Sequence, residues 1–144
     1  MYRQATFHYI FIVGLFILIG LSAENVSAST VIEERSPQLE LVRSIMCEQI
    51  EDYSPVNIAV VFSVTMGKIS CFTSFDPVPT ETQIEHKWYH KDTLSTKKRL
   101  FLKPPRWSTY SSIQLRETDK GPWRVEIVDN NHRILGILRF SVTD

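Results

Sequence analysis

The run Gly121–Thr143, GPWRVEIVDNNHRILGILRFSVT, decides the fold. Trp123, Val125 and Ile127 share one parity while Arg124 and Glu126 take the other. Leu138, Phe140 and Val142 alternate in the same way with Arg139, Ser141 and Thr143. An apolar period of two is the mark of a strand with one face buried. Between the two runs stands Asp129-Asn130-Asn131-His132, and Asp and Asn tolerate the left-handed backbone that a tight turn needs. The stretch predicts two strands, 122–129 and 133–143, joined by that turn.

The same signs recur towards the N-terminus. Trp107, Thr109, Ser111, Ile113 and Leu115 form another alternating set. Met66-Gly67-Lys68 separates IAVVFSV from ISCFTSF, and Asp119-Lys120-Gly121-Pro122 marks a further turn. Further strands are expected at 58–64, 68–76, 82–91, 97–103 and 107–117. Segment 39–50 stays open, because Leu39, Val42, Met46 and Ile50 also fit a helical face, with Ser36 as cap and Pro37 at the first helical position. Short strands at this spacing predict an all-β chain, an antiparallel immunoglobulin-like β-sandwich of about seven to eight strands.

The 144 residues suffice for one domain, and 22% charged with 43% hydrophobic residues excludes disorder, a coiled coil and a multi-span membrane protein. Sixteen basic side chains balance sixteen acidic ones, which argues against a nucleic-acid partner. Residues 1–28 read as an address: Arg3, then an apolar core from Phe7 to Leu21, then Val26-Ser27-Ala28 as a cleavage site. That core is short of the roughly 20 residues of a spanning helix, which favours a cleaved signal peptide over an anchor. Export to the periplasm or cell envelope is expected, with membrane contact only if the segment is retained. The polar stretch 29–38 reads as a linker, and 39–144 as the domain. In an oxidising compartment Cys47 and Cys71, the only cysteines, are expected to form a disulfide.

A set of motifs then accumulates in order. Met46-Cys47-Glu48, AVVFS at 59–63, Gly67-Lys68 and Cys71-Phe72-Thr73 precede His86-Lys87-Trp88-Tyr89. Pro104-Pro105-Arg106-Trp107-Ser108-Thr109 with Ser111-Ser112 follows, then Gly121-Pro122-Trp123-Arg124-Val125-Glu126, Ile134-Leu135 and Arg139-Phe140. In this order the chain resembles, over about residues 40–144, the DUF2914 family, an uncharacterised group of bacterial exported or membrane-attached domains. The resemblance implies a β-rich domain, which tips 39–50 towards strand, and it implies no catalytic residue.

Catalytic and metal chemistry find little footing. Ser108, Ser111 and Ser112 lack the Gly-x-Ser-x-Gly elbow, the cysteines lack C-x-x-C spacing, and no glycine-rich phosphate loop is present. His86 and His90 sit four apart on an expected strand, about 13 Å from end to end, too far to share an ion at about 2.1 Å from each. His86 is better read as a partly buried histidine bonded to a sheet neighbour. No catalytic residue, metal or cofactor is expected, and the chain reads as a non-catalytic module. Trp123 and Trp107 lead apolar parities and are expected in the core.

Surface chemistry points elsewhere. Residues 86–106 carry Lys87, Lys91, Lys97, Lys98, Arg99, Lys103 and Arg106 against Asp92 alone, whereas 31–56 carry six acids against Arg35 and Arg43. Tyr89 shares parity with Lys87, opposite to Trp88, and is the expected exposed aromatic, joined by Tyr110. The expected binding surface is therefore Lys87, Tyr89, Lys97, Lys98, Arg99 and Tyr110, facing an envelope protein or polysaccharide. The bland alternative is a solvated strand edge that lysines protect from pairing. Glycan binding through the two tyrosines is the second functional reading.

Overall fold

The computed structural model describes residues 36–144; the segment read as a signal, 1–28, and most of the stretch read as a linker, 29–38, lie outside the described residues. Nine strands follow in order: β1 (Leu41–Glu51), β2 (Ser54–Ile58), β3 (Val61–Ser63), β4 (Lys68–Phe75), β5 (Thr82–His90), β6 (Thr93–Leu102), β7 (Trp107–Gln114), β8 (Gly121–Asp129) and β9 (Ile134–Thr143). They form a four-stranded sheet in the order β2-β1-β4-β7 and a five-stranded sheet in the order β3-β9-β8-β5-β6. This is a β-sandwich, and the ambiguous N-terminal segment is strand β1, flanked by β2 and β4.

Two details depart from expectation. The segment expected at 58–64 is divided, because the chain changes sheets there: Ala59 N–H donates to Met46 of the first sheet, while Val60 C=O accepts from Ser141 of the second. The newly arrived β3 then runs parallel to β9, so the pairing is not wholly antiparallel. Elsewhere the β8–β9 turn forms as its composition requires. Asp129 Oδ1 accepts from the N–H groups of Asn131 and Arg133, each at 2.9 Å, and His132 takes φ 63°.

The core fills the space between the sheets in two clusters. Met46, Ile69 and Cys71 of the first sheet meet Phe62, Trp88, Trp123, Val125, Phe140 and Val142 of the second. Phe140 meets the edge of Trp88 at 6.1 Å and stacks on Trp123 at 6.0 Å. Phe75, Val78, Ile84, Leu102 and Ile127 make the second cluster. Beside it β9 approaches β1 closely, since a Cβ on Gly136 would lie 2.8 Å from Leu41 Cδ2.

The expected disulfide is corrected: Cys47 and Cys71 are both free and buried. The β1–β4 register pairs Met46 with Cys71 and Cys47 with Ser70. Paired residues share a face and neighbours alternate, so Cys71 enters the core beside Met46 while Cys47 points out of the opposite face. Diverging Cβ directions do not admit a bridge without backbone movement. Burial pushes both thiols up from their ordinary pKa.

Cys47 is nevertheless sealed, as are Ser70 and Phe72 on the same outward-facing rows. The β1–β2 hairpin curls over this face, and Tyr53 at its tip lines one cavity with Val42, Ser74 and Ser108. Trp107, expected in the core, stands at the start of β7 opposite Phe75 and is 38% exposed. The end of a sheet has no further row to cover it.

Candidate binding surface

A fully buried, hydrogen-bonded histidine lies between the sheets. On β5, His86 sits between Ile84 of one apolar cluster and Trp88 of the other. Its Nε2 is 3.2 Å from Thr73 Oγ1 on β4 and its Nδ1 is 2.8 Å from Ser111 Oγ on β7. Trp88 Nε1 donates to the same Ser111 oxygen at 3.1 Å. The set closes when the Ser111 hydroxyl donates to Nδ1 and Nε2–H donates to Thr73. Burial lowers the His86 pKa to about 3, so the ring is neutral. Expectation had His86 bonded within its own sheet; instead it crosses between the sheets. A Ser–His pair at hydrogen-bond distance suggests a nucleophile, but Ser111 is 6% exposed and its oxygen already meets an indole N–H. The arrangement is a cross-brace.

His90, the other half of the His-x-x-x-His spacing, has different company. It stacks on Trp123 at 4.5 Å and donates from Nε2 to the Lys120 carbonyl at 3.0 Å. Among the described residues no group of three or more His, Cys, Asp or Glu is arranged to hold a metal.

Outside, the rows of the five-stranded sheet are charged. The β5–β6 register sets Glu85 opposite Arg99 and Lys87 opposite Lys97. Glu85 lies 3.9 Å from Lys87 and 3.8 Å from Lys97. Tyr89 is paired with Arg124 of β8, whose guanidinium covers the phenol ring at 4.0 Å. Arg124 also bonds Glu126 at 2.9 Å and pairs with Asp92 in the β5–β6 turn. Partial burial, then the Glu126 carboxylate, push the Tyr89 phenol up.

The six expected surface residues therefore separate. Lys87, Tyr89, Lys97 and Arg99 share the outer face of β5 and β6. Lys98 is registered with His86 and so belongs to the inward side of β6, where it lines a cleft of about 490 Å³ with Ser112, Arg116 and Asp119. Tyr110 is registered with Phe72 on the outer face of the other sheet. The two tyrosines do not meet, and Tyr89 is covered. The two tyrosines offered for glycan stacking stand on different sheets.

Two aromatic residues lie outside the expected binding surface. Tyr53 and Trp107 line a cavity of about 550 Å³ together with Asp76, Arg106, Ser74 and Ser108. Asp52 and Tyr53 form a two-residue hairpin turn with φ 46° and 59°. The clue available in the sequence was Asp52 at the break in an alternating run. Which cavity the tip would reach depends on the hairpin's curl, which is not local.

Comparison with known proteins adds the following. Residues 81–142, the segment of β5 to β9, match the model of a family described as protein of unknown function (DUF2914). No curated protein matches the chain. Among solved structures, a GH3 beta-glucosidase from Bifidobacterium adolescentis is 8% identical, with 73% of this chain and 17% of that one covered and a TM-score of 0.43. A beta-glucosidase from Kluyveromyces marxianus is 11% identical, with 74% and 14% covered and a TM-score of 0.41. The chain thus spans a small part of either glucosidase, and likeness at this distance says nothing of substrate or reaction.

Proposed function

We propose a function from the surface itself, a non-catalytic binding module of the cell envelope, because the family model that matches β5 to β9 is described only as of unknown function. Its ligand surface is the edge strand β6 with the outer face of β5. One observation carries this reading. Strand β6 is ten residues long, pairs on one side only among the described residues, and holds Lys97, Lys98 and Arg99 with no carboxylate of its own.

An unpaired strand edge offers backbone N–H and C=O groups to another extended backbone, and cations flanking it favour an acidic one. A protein segment suits such an edge better than a polysaccharide, which has no backbone to continue the ladder. Leu94 and Phe101 lie outward at either end of the cation pair and are 48% and 69% exposed, which adds apolar contact. The apolar N-terminal segment supports placement in the envelope.

The test is capture from envelope extract on the immobilised full-length chain, eluted with rising salt, beside a glycan array. Acidic proteins should be retained by wild type, released by salt, and lost from a Lys97→Ser/Arg99→Ser variant. Equal retention by that variant, or retention that ignores salt, would make β6 a guarded edge and nothing more.

A further inference from the structure

We propose that the cavity beside Tyr53 is a saccharide site: the Tyr53 ring stacks the apolar face of a neutral sugar, Trp107 stands at the rim, and Asp76 and Arg106 hold its hydroxyls. This goes beyond the basic edge and uses none of its residues.

The aromatics point to a ligand first. Tyr53 is 86% exposed at a hairpin tip, where it adds nothing to the core. It also occupies φ 59°, a left-handed conformation that suits Gly or Asn far better than a bulky residue. A large side chain kept in an unfavourable backbone state, away from the core, is the kind of outlier that marks a functional surface. Trp107, on the Phe75 row at the end of β7, also lines the cavity and is 38% exposed, whereas Trp88 and Trp123 are buried. Tyr and Trp are rings with an apolar body and a polar tip, suited to a ligand that is itself half apolar and half polar.

The polar lining selects among ligands. Asp76 only accepts, Arg106 only donates, and the Ser74 and Ser108 hydroxyls do both. Neither Asp76 nor Arg106 forms an ion pair among the described residues. Each planar group thus keeps two bonds for a pair of neighbouring hydroxyls, and their charges cancel. An oxyanion would meet the Asp76 carboxylate. A polyproline segment, the other common guest of an aromatic groove, has no backbone N–H and leaves Asp76 without a donor. Sugar hydroxyls both donate and accept and so satisfy every member. A volume of about 550 Å³ lies within the ordinary range for a small-molecule site.

The experiment titrates the full-length chain with maltotetraose, cellotetraose and chitotetraose, and in parallel with decaproline and an oligogalacturonate. Binding is read by calorimetry and by protection of tryptophan fluorescence from acrylamide, since Trp107 is the exposed indole. At least one neutral tetrasaccharide should bind saturably and shield that fluorescence. Tyr53→Ala and Asp76→Asn should each weaken it by about tenfold while leaving the urea midpoint within about 0.5 M of wild type. Trp107→Phe should retain most of the affinity, and Lys97→Ser/Arg99→Ser all of it. Three results would each overturn the proposal: no neutral saccharide binding, preference for decaproline or the oligogalacturonate, or full affinity in both Tyr53→Ala and Asp76→Asn. Loss of sugar in the lysine–arginine variant alone would overturn it too, by moving the ligand to β6.

Discussion

Strand β5 presents two rows that obey different rules. Inward, Ile84, His86 and Trp88 are wholly buried and each is held by groups from the opposite sheet. Outward, Glu85, Lys87 and Tyr89 meet only neighbours of their own sheet, and long charged contacts near 3.9 Å replace packing. The inner row sets whether the domain stands; the outer row and the rims beyond it set what it meets. Trp88→Ala breaks the comparison hardest. It removes a fully buried indole that touches Phe140 and bonds Ser111, and should cost about 3–5 kcal/mol by urea denaturation. Lys87→Ala, one residue away, should stay within about 0.5 kcal/mol. Comparable losses would refute the division.

A second inner-row effect is linked to pH. His86 titrates at about 3 when folded against an ordinary 6.5, so the unfolded chain takes up the proton first. Stability should then fall as pH drops through the window from about 6.5 towards 3, by up to about 1.4 kcal/mol per unit, and be fully present above it. Between pH 6.5 and 5 the loss lies above the ordinary carboxylate range. Urea midpoints measured at pH 7, 6 and 5 should show this slope in wild type and a flatter one in His86→Asn. Parallel slopes would mean that the ring is protonated in place.

How much of this was legible in the sequence follows from range. Parity is local, so Trp88 inside and Tyr89 outside, Trp123 in the core, and the Asp129 turn could be read from neighbours alone. Pairing is not local. Nothing near Cys47 says that β4 meets it at Ser70 and so aims the two thiols apart. The β5–β6 turn is tighter than the gap expected after residue 91, because Lys91 and Asp92 alone reverse the chain with left-handed angles and β6 begins at Thr93. Grouping Lys97, Lys98 and Arg99 by sequence ignored their own alternation. Tyr110 was on the right kind of strand and the wrong sheet, since only the β4–β7 pairing decides that.

The two hairpin tips sharpen the comparison further. Lys91-Asp92 and Asp52-Tyr53 share the same left-handed turn, but Asp92 is tied to Arg124 while Tyr53 stands out in solvent. Tyr53→Gly should therefore stabilise the domain by about 1 kcal/mol, because glycine adopts φ 59° without a Cβ penalty. The urea midpoint should rise even as saccharide affinity is lost. A destabilised glycine variant would show that the ring supports the fold.

The smallest effect on stability is expected at β6, and it is the most informative about partners. Lys97 and Arg99 point outward and Lys98 inward, so three adjacent cations make two separate tests. Replacing Lys97 and Arg99 by serine forfeits one surface contact to Glu85 at 3.8 Å, which should change stability by no more than about 0.5 kcal/mol. Lys98→Ser should be equally mild. Partner retention should not be mild in both. If the partner lies along the outer face, the double variant should lose most of the retention and most of its salt dependence, while Lys98→Ser keeps both. The reverse pattern would move the contact into the cleft beside Arg116, where Lys98 is the cation within reach. Equal loss would mean that β6 acts through its backbone edge, with charge only guiding the approach.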